Sequence, residues 1–173
     1  ELENSILGVV WRAGPMSAYG VRAHFAGSAT VTWSSSTGTV YPAIRRLRDA
    51  GYLDAADPEG PRKSELLSLT AKGRAALDTW LTQVRPELGL SSADPIRTRV
   101  HFLKAIDPAA RKSAFDDYRA VTHAAIAKLE DGLAKSTESA VDQSERLGGL
   151  GALAQLKARL EWLDLAECEL SGD

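Results

Sequence analysis

The chain has 173 residues, 44% hydrophobic and 25% charged, which are globular values and exclude a disordered or low-complexity chain. One cysteine, Cys168, excludes an intrachain disulfide framework and a cysteine-based zinc site, and no apolar run approaches the roughly 20 residues of a membrane-spanning helix. The formal net charge of −2 hides a split: residues 1–86 carry ten Lys and Arg against eight Asp and Glu, whereas residues 87–173 carry eleven against fifteen.

Residues 5–12 have helical spacing, with Ile6, Val9, Val10 and Trp11 on the inward face and Gly14-Pro15 as the stop. Ser17 is placed to cap a second helix that contains Tyr19, Val21, Arg22, His24 and Phe25 and ends at Gly27. Residues 29–33 connect it onward, with a short extended piece at 29–32.

The next stretch organises the chain. Ser34, Ser35, Ser36 and Thr37 supply hydroxyls for a helix N-terminus, where the first-turn N–H groups lack partners. Val40, Ile44 and Leu47 then follow at helical spacing as one buried stripe, and Gly51 stands where a left-handed closing residue is wanted. Ser36, Thr37, Thr39, Tyr41, Arg45 and Arg48 occupy the other face, with Arg46 at its margin. Small donors at one end and guanidinium groups along the rest are what a helix lying in a DNA major groove requires. Pro42 removes one helical donor, a cost that falls if Gly38 lies in the first turn.

Residues 51–56 and 64–69 alternate like strands around the turn cluster Asp57-Pro58-Glu59-Gly60-Pro61, giving a hairpin with Arg62 and Lys63 at its tip. Thr70 is placed to cap a helix to about Val84, with Ala75, Ala76 or Leu77, Trp80 and Leu81 inward. Three helices and a two-stranded hairpin make a winged helix-turn-helix, its basic tip positioned for phosphate or minor groove. The expected class is mainly α: a DNA-binding domain over residues 1–86 and a helical dimerisation and effector domain over 94–173.

Past a boundary at residues 85–93, Asp94-Pro95 and Asp107-Pro108 each place a capping carboxylate before a first-turn proline. The first helix runs through Ile96, Val100, Leu103 and Ile106; the second carries Phe115, Tyr118, Thr122, Ile126, Leu129 and Leu133 on one face. Residues 136–144 read as a polar loop, and a last helix starts near Glu145. Leu153, Leu156, Leu160, Leu163 and Leu170 follow three-four spacing there, while Leu147, Leu150, Trp162 and Leu165 broaden the apolar surface. A helix so widely apolar needs cover on two sides, and a second copy of the chain in a symmetric homodimer is the economical second cover.

These residues resemble the PadR family of bacterial transcriptional regulators. The similarity lies in Gly14-Pro15-Met16-Ser17 with Tyr19, in the run from Trp33 to Pro42, in Ile44-Arg45-Arg46-Leu47, in Gly51-Tyr52-Leu53, and in Gly60-Pro61-Arg62-Lys63 with Leu69-Thr70-Ala71-Lys72-Gly73. The second half is similar in length and helix layout to the subgroup with a multi-helix C-terminal dimerisation domain. Ala18 and Gly20 depart from the usual residues around the tyrosine, and Ser64-Glu65-Leu66 replaces an aromatic and basic stretch in the second wing strand. The single cysteine favours a cytoplasmic location, and the resemblance implies a homodimer that represses from an inverted-repeat operator in double-stranded DNA, with relief by a small molecule in some members. It puts Ser36, Thr37, Thr39, Tyr41 and Arg45 on DNA, with Arg62 and Lys63 from the wing.

Two other classes compete with this reading. A winged helix can serve as a protein-interaction adaptor without DNA, which steep salt dependence would exclude. Catalysis finds no support: His24, His101 and His123 lack metal-ligand spacing, no cofactor motif is present, and the glycines from Gly149 to Gly151 follow no strand. Trp80, Phe102 and Phe115 are the aromatic candidates for an effector pocket.

Overall fold

A computed structural model describes residues 1–27, 37–56, 65–89, 94–135 and 140–171. Its order is α1 (Leu2–Ala13), α2 (Ala18–Gly27), α3 (Thr37–Asp49), β1 (Leu53–Ala56), β2 (Leu66–Leu69), α4 (Ala71–Thr82), α5 (Pro95–Val100), α6 (Pro108–Lys135) and α7 (Ala140–Ser171), with 3₁₀ turns at Pro86–Gly89 and Leu103–Ala105. The chain divides into two compact units, Glu1–Arg85 and Pro86–Asp173.

The first unit is a winged helix-turn-helix. Its core gathers Ile6, Leu7, Val9 and Val10 of α1, Val21 and Phe25 of α2, Val40, Ala43, Ile44 and Leu47 of α3, Leu53, Leu67 and Leu77. β1 and β2 pair antiparallel, Leu53 opposite Leu69 and Ala56 opposite Leu66. Met16 adds an isolated bridge on the outer edge of β2, exchanging backbone bonds with Leu67 at 3.1 and 2.9 Å. Gly14-Pro15 therefore does more than stop α1, since it delivers Met16 to the sheet.

Several inward assignments change. Trp11 is 53% exposed and sits under the Arg74 guanidinium, while Leu7 takes the buried position. In α4, Leu77 is the buried residue; Ala75 and Leu81 face outward, and Trp80 is half-buried. Ser17 does cap α2, accepting from Gly20 N at 3.1 Å. The extended piece expected at 29–32 lies outside the described residues.

In the second unit, α6 and α7 pack side by side around Phe115, Leu163, Ile96 and Leu103. Thr122 is buried in α6, its hydroxyl donating to the Tyr118 carbonyl one turn back at 2.7 Å, so it can sit on the apolar face without an unpaired donor. Gly149 lies where the two helices approach, because a Cβ there would stand 2.9 Å from Leu133 Cδ2. Arg119 ties α6 to α7 through Asp164 and Glu167. α5 stops at Val100, six residues before Ile106, which is exposed after an intervening turn. α7 begins at Ala140, inside the stretch expected to be loop.

Asp94 caps α5 by accepting from Ile96 N at 2.9 Å and Arg97 N at 3.3 Å, with Pro95 in the first turn. Arg159 of α7 donates to the same carboxylate at 2.9 Å. Burial alone would raise this carboxyl; the two backbone N–H groups and the guanidinium outweigh it and hold it below its ordinary value. A depressed folded-state pKa stabilises above the unfolded value and is lost as pH falls through the folded one. Asp94→Ala should destabilise the protein by about 0.5–2 kcal/mol at neutral pH, and in urea unfolding the gap should close as pH drops below about 4.

Candidate nucleic-acid interface

α3 is divided along its length. Val40, Ala43, Ile44 and Leu47 are buried, whereas Thr39, Tyr41, Arg45 and Arg48 are exposed. At about 100° per residue Arg45 lies opposite the buried stripe, with Tyr41 and Arg48 on one flank and Thr39 with Arg46 on the other. The flanks have different neighbours. Arg46 Nε donates to Glu3 Oε1 of α1 at 2.7 Å, and Arg48 Nη1 to Glu65 Oε2 beside β2 at 2.7 Å. Arg45 has no acidic partner among the described residues. It shares a shallow groove with Arg48, Asp49, Leu53 and Asp54.

Pro42 does lie inside α3. Gly38 is the second residue of the helix, so the carbonyl that loses its donor belongs to the first turn and is solvent-exposed. Burying Val40, Ile44 and Leu47 contributes roughly 1.5–3 kcal/mol each, which together exceeds the ~3 kcal/mol an interior proline costs. The helix persists because of its back.

The far end of α3 is fixed by a compact set of backbone bonds. Gly51 N donates to the Arg48 carbonyl and Tyr52 N to the Leu47 carbonyl, both at 2.8 Å, a Schellman ending that requires the φ of 74° held by Gly51. Thr70 then works in two directions. Its Oγ1 accepts from Gly73 N at 2.9 Å, capping α4, and donates to the Gly51 carbonyl at 2.8 Å, with Tyr52 O 3.2 Å away. Lys72 Nζ donates to the Ala50 carbonyl at 2.6 Å and lies over the Tyr52 ring. Gly73 is indispensable to this corner, because a Cβ there would stand 2.1 Å from the Tyr52 carbonyl oxygen.

Thr39, Tyr41, Arg45 and Arg48 thus share one exposed helix. Thr37 opens it, while Ser36, Arg62 and Lys63 lie outside the described residues. Glu3 and Glu65 were not among the sequence candidates; the departure at Glu65 from the family's basic wing strand was the only signal for either. Of the five leucines assigned to dimerisation, Leu163 is the one that the fold takes away. Leu163 is wholly buried in its own unit's core, and Leu170 packs partly against the same cluster. Leu153, Leu156 and Leu160 are half-buried on this same side of α7. Leu147, Leu150 and Leu165 are the exposed leucines of the helix. The effector aromatics are dispersed. Trp80 lines a groove of about 400 Å³ in the first unit with Tyr52 and Lys72; Phe115 floors a cavity of about 230 Å³ in the second with Arg111 and Lys112; Phe102 is 71% exposed and lines neither. Among the described residues no three His, Cys, Asp or Glu converge to hold a metal, and no helix is long and apolar enough to cross a membrane.

Three helices, a two-stranded wing and a third helix with a mixed hydroxyl, phenol and guanidinium face define the fold class as a winged helix-turn-helix domain. Residues 6–79 match the Transcriptional regulator PadR-like family. Over 172 residues it is 24% identical to the negative transcriptional regulator PadR of Bacillus subtilis (strain 168), covering 94% of this chain and 93% of that one. The crystal structure of Bacillus subtilis PadR in complex with operator DNA is similar with a TM-score of 0.82 at 23% identity, over 97% of this chain and 98% of that chain. The same protein in complex with p-coumaric acid gives 0.79 at 23% identity, over 99% and 96%.

The Thr70–Gly73 corner yields a direct test. Gly73→Ala should lower stability by about 1–3 kcal/mol or more, since the obstructing atom is backbone and cannot rotate aside, read as a lowered midpoint in denaturant unfolding.

Proposed function

We propose that the protein is a sequence-specific DNA-binding transcriptional regulator, acting as a repressor from an inverted-repeat operator as a homodimer. The observation that carries the reading is the division of α3: a fully buried back within a PadR-like domain, and an exposed front of Thr39, Tyr41, Arg45 and Arg48. A helix seated this way offers arginines to phosphates and guanine edges, while its packing fixes the angle of presentation. Ser36, Thr37, Arg62 and Lys63 belong to the same proposed surface by sequence. The operator complex of the Bacillus subtilis protein supports the partner, and its p-coumaric acid complex supports a small-molecule effector. On this reading the protein works in the cytoplasm, and its role is binding rather than catalysis.

For the dimer, the exposed side of α7 offers the supporting surface. Leu147 and Leu165 are about five helical turns apart and so point the same way, with exposed Gly151, Ala154 and Ala158 between them. A mostly apolar strip along an outer helix face, interrupted by exposed Glu161, fits a second copy of the same helix.

Selection of bound sites from random duplex DNA by the purified protein should return an inverted repeat, and a set without symmetry would overturn the reading. Arg45→Ala or Tyr41→Ala should weaken binding to the selected site by about 1–3 kcal/mol while leaving the solution mass unchanged. Leu165→Glu should instead shift the mass measured by light scattering toward a single chain, with an unaltered helical circular dichroism spectrum.

A further inference from the structure

Three arginines follow one another on α3 with one unshared position between the last two, and they are not equally free. Arg48 spans from the helix to the wing and holds the Glu65 carboxylate at 2.7 Å. The side chains are 40% and 51% exposed, so water and a phosphate can reach the pair. An exposed pair of this kind contributes little to folding, which leaves its effect on charge as the larger consequence. Asp49 and Asp54 line the same groove as Arg45 and Arg48, and Glu65 contacts Arg48. A phosphate approaching Arg48 must displace or share with a carboxylate already in contact.

We propose that Glu65 is an affinity-setting residue of the nucleic-acid surface: by holding Arg48 it withholds one guanidinium charge from the DNA backbone and keeps sequence-independent binding weak. This rests on the DNA-binding reading above. Base edges are read by contacts that depend on sequence, whereas phosphate attraction is common to every duplex. Neutralising one arginine in place therefore lowers binding to all DNA alike and raises the relative weight of the base contacts. Arg45, opposite the buried stripe, forms no ion pair among the described residues, although Asp49 and Asp54 line its groove.

The experiment measures binding of the full chain to an unrelated mixed-sequence duplex of about three helical turns across a potassium chloride series. Glu65→Gln keeps the shape and removes the charge. It should tighten binding roughly two- to fivefold at low salt and steepen the log–log salt slope by about one. Arg48→Ala should weaken binding, and in that background Glu65→Gln should have no further effect. The proposal is overturned if Glu65→Gln matches the wild type in affinity and slope, or if its gain persists without Arg48, which would make it simple repulsion. Wild-type protein that binds no duplex at any salt would overturn the DNA-binding reading and this inference together, whereas wild-type binding with an unresponsive Glu65→Gln removes only the latter.

Discussion

The presented helix is only as useful as the corner that ends it. α3, β1 and α4 meet at Gly51 and Tyr52, and the carbonyls exposed there by the end of α3 are taken up by Thr70 and Lys72 from the start of α4. One threonine side chain serves both helices, accepting for α4 and donating to the turn after α3. The absence of a side chain at Gly73 lets the two backbones come this close. A helix held only by its apolar back could rotate or slide by a fraction of a turn. Fixing its terminal carbonyls removes that freedom, so the direction in which Tyr41, Arg45 and Arg48 point is set by hydrogen bonds instead of by packing alone.

Charge on this surface is distributed as opposed pairs, not as a basic field. Glu3 and Glu65 each hold one arginine from a different element, which agrees with a first half whose formal charge is only +2 by ten cations against eight anions. A domain built so relies on placement more than on bulk attraction. The second unit solves a different problem. Its two long helices are pinned by a buried aromatic, Phe115, and a leucine, Leu163, and then by Arg119 reaching across to Asp164 and Glu167.

Local rules made much of this legible. Caps at Ser17, Thr70, Asp94 and Asp107 use short side chains and bonds to N–H groups two or three residues on, so the sequence alone contains both partners. The buried stripe of α3 and the left-handed Gly51 follow from periodicity and chirality in the same way. What depended on distant neighbours was not legible. Trp11 was assigned inward by type, yet the covering residues of α4 leave it at the surface beneath Arg74. Leu163 carries the same three-four spacing whether its face meets α6 or a second chain, and periodicity cannot say which partner arrives. Residues 140–144 continue α7, and the polar composition of the stretch 136–144 does not distinguish a solvated turn of helix from a loop. Glu65 was visible as a departure, but its link to Arg48, seventeen positions away, is a product of the fold.

The small bridge between Met16 and Leu67 has a mechanical meaning. β2 is stitched on one edge to β1 and on the other to the segment joining α1 and α2, so at Leu67 this strand has neighbours on both edges. Force applied at the sheet is carried straight into the first two helices, and from there to the helix they cradle. The strand that carries Leu67 is therefore clamped from both sides, and the base of the wing is tied to the helices of its own unit.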